Sequence, residues 1–298
     1  MTASRTPPFT PLIFACEDEP LVGALHPAAQ STPGSIGGLI VSGGVQVRAG
    51  PHRSHVDLAN GLAAEGLPTL RFDRRGVGDS GGTNPGFEMA GPDILAAIDA
   101  LCRETGVEGC IGYGLCDGAT ALGLLAPYEP RLAGLILMNP WTIDEADNGN
   151  SLVMHHYRRR LRDPRQLGRL LRGEIALGSA IASLGSTLGR SLSRVTLDRL
   201  RARPRPAILP LGHRLAKALS SFPGPIHIIL SDHDRTASAF EAGLHTPAWK
   251  AVLARPNVTV QRIGGADHTC SPATAKAAFL RECRAAAKAM AAREAIPA

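Results

Sequence analysis

Apolar residues along this chain come in two rhythms. Short continuous runs recur, and between them apolar positions return every three or four residues. The runs PLIFAC (11–16) and PLVGALH (20–26) read as a leading hairpin. IGGLIVSGG (36–44) and RLAGLILMNP (131–140) read as buried strands, and LPTLRFD (67–73), VEGCIGYG (107–114), GPIHIILSDHD (224–234) and NVTVQRIGG (257–265) as further strands. Residues 55–65 place Val56, Ala59, Leu62 and Ala63 on one helical face. GPDILAAIDALC (91–102) carries Pro92 at a helix start and a stripe of Ile94, Leu95, Ile98, Leu101 and Cys102. A last helix opens at Ser271-Pro272, with Phe279, Cys283, Ala287 and Met290 facing inward. Strands alternating with helices predict an α/β fold, a mostly parallel eight-stranded sheet with helices on both faces. In such sheets the chemistry gathers at the carboxyl ends of the strands.

The alternation breaks once. Residues 141–222 contain no convincing strand. They hold fourteen Arg and one Lys against six acids, a net of +9 in a chain whose formal total is +6. A basic helical insertion between two strands reads as a cap. The expected organisation is therefore a core of 1–140 and 223–298, with the cap at 141–222.

Composition narrows the function classes. Hydrophobic residues make up 44% of the chain, ordinary for a globular core, and aromatic residues only 4%. So few aromatics argue against base-stacking platforms, and no nucleic-acid partner is expected. No apolar run is long enough to span a bilayer, and no basic stretch with a long apolar core opens the chain. Six cysteines stand at 16, 102, 110, 116, 270 and 283, without Cys-x-x-Cys and without His at zinc spacing. Reduced thiols in the cytoplasm, and no metal or other cofactor, are the expectation.

One cysteine stands apart. In CIGYGLCDGATALGLLA (110–126), an apolar run ends in Gly114-x-Cys116-x-Gly118 and a small-residue helix pattern follows. Strand, sharp turn and helix are the setting of a nucleophile elbow. The glycines fit because the turn is strained and its neighbours approach closely. A second match, GDSGG (78–82), resembles the nucleophile segment of chymotrypsin-type proteases. No helix opens after Ser80, and the chain is not all-β, so Ser80 is set aside.

A thiol at Cys116 needs a base, because an ordinary thiol is mostly protonated at neutral pH. GGADHTCSP supplies His268 after the last strand. The imidazole needs an orienting carboxylate, and LSDHD offers Asp234, with Asp232 as the alternative. The order 116, 234, 268 is nucleophile, acid, histidine. An oxyanion hole needs two backbone N–H groups. Asp117, after the nucleophile, supplies one, and Val45 or Gly44 in VSGGVQ the other.

These segments resemble the α/β-hydrolases. More narrowly, SGGVQVRAGPHR, LRFDRRGVGDSGG, GLCDGATA, MNPW, HHYRRRL, LSDHDRTASAF and ADHTCS resemble the exosortase-A-system-associated hydrolases of type 1, found beside bacterial exopolysaccharide loci. That resemblance implies an α/β-hydrolase fold with cysteine at the elbow. Carried over singly, Cys116 is the nucleophile, Asp234 the acid and His268 the base. The chain departs at Gly43-Gly44-Val45-Gln46, where the pattern reads Gly-Gly-Pro-Gln. A cysteine elbow also resembles the dienelactone hydrolases and the polyhydroxyalkanoate synthases, of which the synthases transfer acyl groups rather than releasing them to water.

The expected reaction is cleavage of an ester or thioester through an acyl-cysteine, on a small-molecule or carrier-bound acyl substrate. Transfer to another acceptor, and a silent binding scaffold, are the competing readings. Trp141, after Asn139-Pro140, is expected to wall the pocket, while His155, His156 and Tyr157 are read either as touching substrate or as packing within the cap. Seven arginines in 155–173 suit phosphate or carboxylate groups. With the small apolar run 174–189 they are also compatible with peripheral contact at a membrane surface. The oligomeric state is not legible.

Overall fold

The computed structural model describes residues 9–28, 35–144 and 209–294. Among these, β1 (Thr10–Cys16), β2 (Glu19–His26), β3 (Ile36–Val41), β4 (Thr69–Phe72), β5 (Gly109–Leu115), β6 (Leu132–Met138), β7 (Ile226–Ser231) and β8 (Val258–Ile263) form one sheet. Its order is β1-β2-β4-β3-β5-β6-β7-β8. The β1/β2 and β2/β4 pairings are antiparallel and the other five parallel. The fold is thus the expected α/β-hydrolase arrangement, a mostly parallel eight-stranded sheet flanked by helices.

The continuous apolar runs have a direct cause. β4 and β5 are buried along their whole length, because helices cover both faces of the sheet. Alternate residues then serve opposite cores. Leu39, Val41, Leu135 and Leu137 pack with α2 (Gly91–Thr105), α3 (Asp117–Leu125) and α4 (Leu211–Ser221). Ile40, Tyr113, Ile136 and Met138 pack with α1 (Ser54–Ala64) and α7 (Ala273–Glu294). The inward stripe of α7 is Phe279, Cys283, Ala287 and Met290, all buried. On α2 the buried set is Asp93, Ile94, Ala97, Ile98, Ala100 and Leu101, while Leu95 and Cys102 are only half-buried. At the edge, β8 is exposed over most of its length.

Two further helices, α5 (Arg235–Gly243) and α6 (Pro247–Leu253), lie between β7 and β8. Both are too short, at nine and seven residues, to give a clear apolar period. Contacts divide the chain into one unit of Met1–Thr142 with Leu211–Ala298 and another of Ile143–Pro210. The core unit therefore includes α4, which the charge pattern placed in the insertion. Leu211, Leu215 and Leu219 are buried, and Leu215 packs where Gly123 has no side chain. Arg214 and Lys217 made this amphipathic segment look like part of the basic stretch. Among the described residues, no helix is long and apolar enough to cross a membrane.

Candidate active site

Three loops meet at the carboxyl edge of the sheet. The first turns from β5 into α3 at Cys116, whose φ of 58° and ψ of −122° are strained for a residue with a side chain. Such a backbone costs about 1–3 kcal/mol and persists only where the surroundings enforce it. Here they do. The Cys116 N–H donates to Met138 O at 2.9 Å, and its carbonyl accepts from the N–H groups of Ala119, Thr120 and Trp141. A Cβ on Gly114 would lie 2.6 Å from the Ala119 backbone. One on Gly118 would lie 2.7 Å from the carbonyl oxygens of Val41 and Ser42. The glycine pattern is thus a consequence of backbone crowding around the turn.

The second loop follows β7. Asp234 caps α5, its carboxylate accepting from Thr236 N at 3.2 Å and Ala237 N at 2.9 Å. Asp232 is exposed, whereas Asp234 is buried. The third loop joins β8 to α7 and carries His268. Its Nδ1 lies 2.9 Å from Asp234 Oδ2, and the Cys116 thiol stands close enough to the ring to act on its charge. Asp234, not Asp232, is therefore the carboxylate that meets the ring. Asp234 first, and then Cys116, push the imidazole up to about 10 despite its burial. Burial raises the Asp234 carboxyl, but the His268 bond and the two N–H donors outweigh it and leave it below its ordinary value.

The His268 loop is tied down at several points. Buried Asn139, after β6, donates from Nδ2 to His268 O at 3.2 Å and to Ser231 Oγ at 3.0 Å. Its Oδ1 accepts from Ser231 N at 2.9 Å. Asp267 accepts from Thr269 N at 3.1 Å and Ser271 N at 2.8 Å. Asn139 was not singled out from the sequence. An Asn before Pro at a strand end was the available signal, since Asn tolerates the positive φ of 46° found there.

The turn Gly43–Gln46, closed by Gln46 N donating to Gly43 O at 3.1 Å, abuts the elbow. A Cβ on Gly43 would lie 2.4 Å from Leu115 O. Of the two expected donors, Gly44 N–H is already bonded to the Asp117 side chain at 2.6 Å. Among the described residues, no acceptor meets the Val45 N–H. Asp117 N–H belongs to the first turn of α3, where backbone donors lack helical partners. Trp141 is half-buried at the end of β6, and its carbonyl accepts from Thr120 Oγ1 at 2.6 Å. His155, His156 and Tyr157 lie outside the described residues. Ser80 is structural, accepting from Val22 N at 2.9 Å and donating to Asp73 O at 2.7 Å.

The family model described as the alpha/beta hydrolase family matches residues 39–282, from β3 into α7 and well over half of the chain. The chain belongs to the alpha/beta hydrolase family. No curated protein matches this family member significantly. Among solved structures, it is similar to the esterase Est1E from Butyrivibrio proteoclasticus, bound to ferulic acid, at 16% identity and a TM-score of 0.60. That likeness covers 95% of this chain and 98% of the other. It is also similar to the Pyrococcus furiosus esterase Pf2001, at 16% identity and a TM-score of 0.58, over 96% and 92%. A Mycobacterium smegmatis proline iminopeptidase gives 14% identity and a TM-score of 0.59, over 96% and 98%. At these identities the likeness is one of fold.

Proposed function

We propose that this alpha/beta hydrolase family member cleaves an ester or thioester through a covalent acyl-cysteine. The observation that carries the reading is the meeting of Cys116, His268 and Asp234, from three separate loops, at one strained elbow. In the proposed reaction, Cys116 Sγ attacks the acyl carbon as its proton passes to His268. The oxyanion accepts from the N–H groups of Asp117 and Val45. Collapse expels the alcohol or thiol, protonated by His268. Water then attacks the acyl-cysteine with His268 as base, releasing the acid and restoring the thiol. Asp234 orients the ring and stabilises the imidazolium. A ring pushed up to about 10 favours the proton's move from sulfur to nitrogen.

The same acyl-cysteine could instead discharge onto an alcohol or amine, and the choice of sulfur supports keeping that reading. The seven arginines of 155–173 support an acyl group borne on an anionic carrier such as a phosphopantetheine arm. The motif resemblance to exosortase-associated hydrolases supports a place beside exopolysaccharide synthesis, in a reducing cytoplasm. The test is incubation with p-nitrophenyl acetate and with acyl thioesters, followed by intact-mass spectrometry and turnover assay. An acyl adduct on Cys116 that decays in water supports hydrolysis. One that persists until an alcohol or amine is added supports transfer. Neither adduct nor turnover refutes both.

A further inference from the structure

The backbone N–H of Asp117 serves the proposed oxyanion hole, a role that does not account for its side chain. An acid directly after the nucleophile puts negative charge beside the place where an oxyanion would form, which by itself opposes the reaction. The surroundings of that carboxylate answer the problem. Oδ1 accepts from Gly44 N at 2.6 Å. Arg74 Nη2 lies 3.7 Å from the same oxygen and donates to Gly44 O at 2.5 Å. The Gly44 residue is thus gripped at its N–H by the acid and at its carbonyl by the base. Gly44 has a φ of 56° and leads into the Val45 N–H proposed as an oxyanion donor.

Arg74 is buried. It follows buried Asp73, whose carboxylate accepts from Asp79 N at 3.1 Å and from the Arg48 backbone and side chain. The Arg74 side chain is 3% exposed, and its Nη1 has no acceptor. Buried ion pairs are weak contributors to stability, and a donor left unpaired is costly. A purely structural arginine is poorly explained by such a site.

We propose that Arg74 and Asp117 are positioning residues that clamp the Gly43–Gln46 turn in its oxyanion-binding form, Arg74 also neutralising the charge that Asp117 brings. The proposal rests on the acyl-cysteine reading. It requires that the pair be neutral in sum and that an acceptor remain for Gly44 N–H. The test compares Arg74→Met, Asp117→Asn and Arg74→Met/Asp117→Asn. With p-nitrophenyl acetate, Arg74→Met should lower kcat by about 30-fold with KM changed less than threefold, since the bare carboxylate opposes the oxyanion. Adding Asp117→Asn should restore most of that loss, because the amide oxygen still accepts from Gly44 while both charges are gone.

A double variant no faster than Arg74→Met overturns the charge role. Asp117→Asn, which keeps an acceptor for Gly44 N–H and leaves Arg74 unopposed, should be at least as fast as the wild type, and a loss as large as that of Arg74→Met overturns the proposal. A second readout does not need turnover. The short Gly44 bond should place its amide proton downfield in an NMR spectrum, shifting upfield by more than 0.5 ppm, roughly, in Asp117→Ala. No such shift overturns the clamp. Absence of any wild-type acyl adduct, with the shift present, overturns the acyl-cysteine reading instead.

Discussion

Replacing Asn139 tests whether the His268 loop is held as described. Its side chain makes three hydrogen bonds, two with Ser231 and one with the His268 carbonyl. At about 1 kcal/mol net per bond, losing them costs about 3 kcal/mol. Ala at the positive φ of 46° adds about 1 kcal/mol more, whereas Gly carries no such strain. Asn139→Ala is therefore expected to lose about 4 kcal/mol and Asn139→Gly about 3 kcal/mol, both in urea unfolding monitored by circular dichroism. Both should still fold, given a typical stability of about 5–15 kcal/mol. Because the tether to His268 is gone, esterase turnover should also fall, by about tenfold or more. The reasoning is refuted if both variants lose less than about 1 kcal/mol and turn over at the wild-type rate.

Two further outcomes follow from the same geometry. Iodoacetamide should alkylate Cys116 first. Burial raises the other five thiols, Cys16 and Cys270 to about 11. Peptide mapping should find them at least about tenfold slower, and equal labelling of Cys270 would contradict this. Asp234→Asn should bring the His268 imidazole down from about 10 toward its ordinary 6.5, read by NMR titration. In the wild type a raised value means that its pairing stabilises the fold fully below pH 6.5. That contribution is lost as pH rises through about 10. A stability difference between wild type and His268→Ala that widens above pH 10 would contradict the sign.

Much of this was legible because the local chemistry is restrictive. β5 had to be apolar at every position, since both its faces are covered, and the glycines at 114 and 118 had to be small because backbone fills their space. The order of Cys116, Asp234 and His268 along the chain could be read because each follows a strand, mostly buried in β5 and β7 and at the exposed sheet edge in β8. What the sequence could not decide was set by three-dimensional partners. Asp232 and Asp234 are two residues apart, and burial, the cap of α5 and the contact with His268 distinguish them. Gly44 and Val45 looked equivalent until Asp117 was found on one of the two N–H groups. Asn139 and Arg74 act across long separations, on Ser231, His268 and Gly44, which no local pattern encodes. The helix α4 was hidden by charge, because Arg214 and Lys217 share a segment with Leu211, Leu215 and Leu219.

The central claim is that Cys116 becomes acylated with His268 as its base. Mass spectrometry of the intact chain, quenched within seconds of mixing with p-nitrophenyl acetate, tests it most directly. The account predicts a single acetyl adduct, mapped to the Cys116 peptide, absent in Cys116→Ala and slow to form in His268→Ala. An unmodified wild-type chain that nonetheless releases p-nitrophenol, or an adduct undiminished in Cys116→Ala, would contradict it.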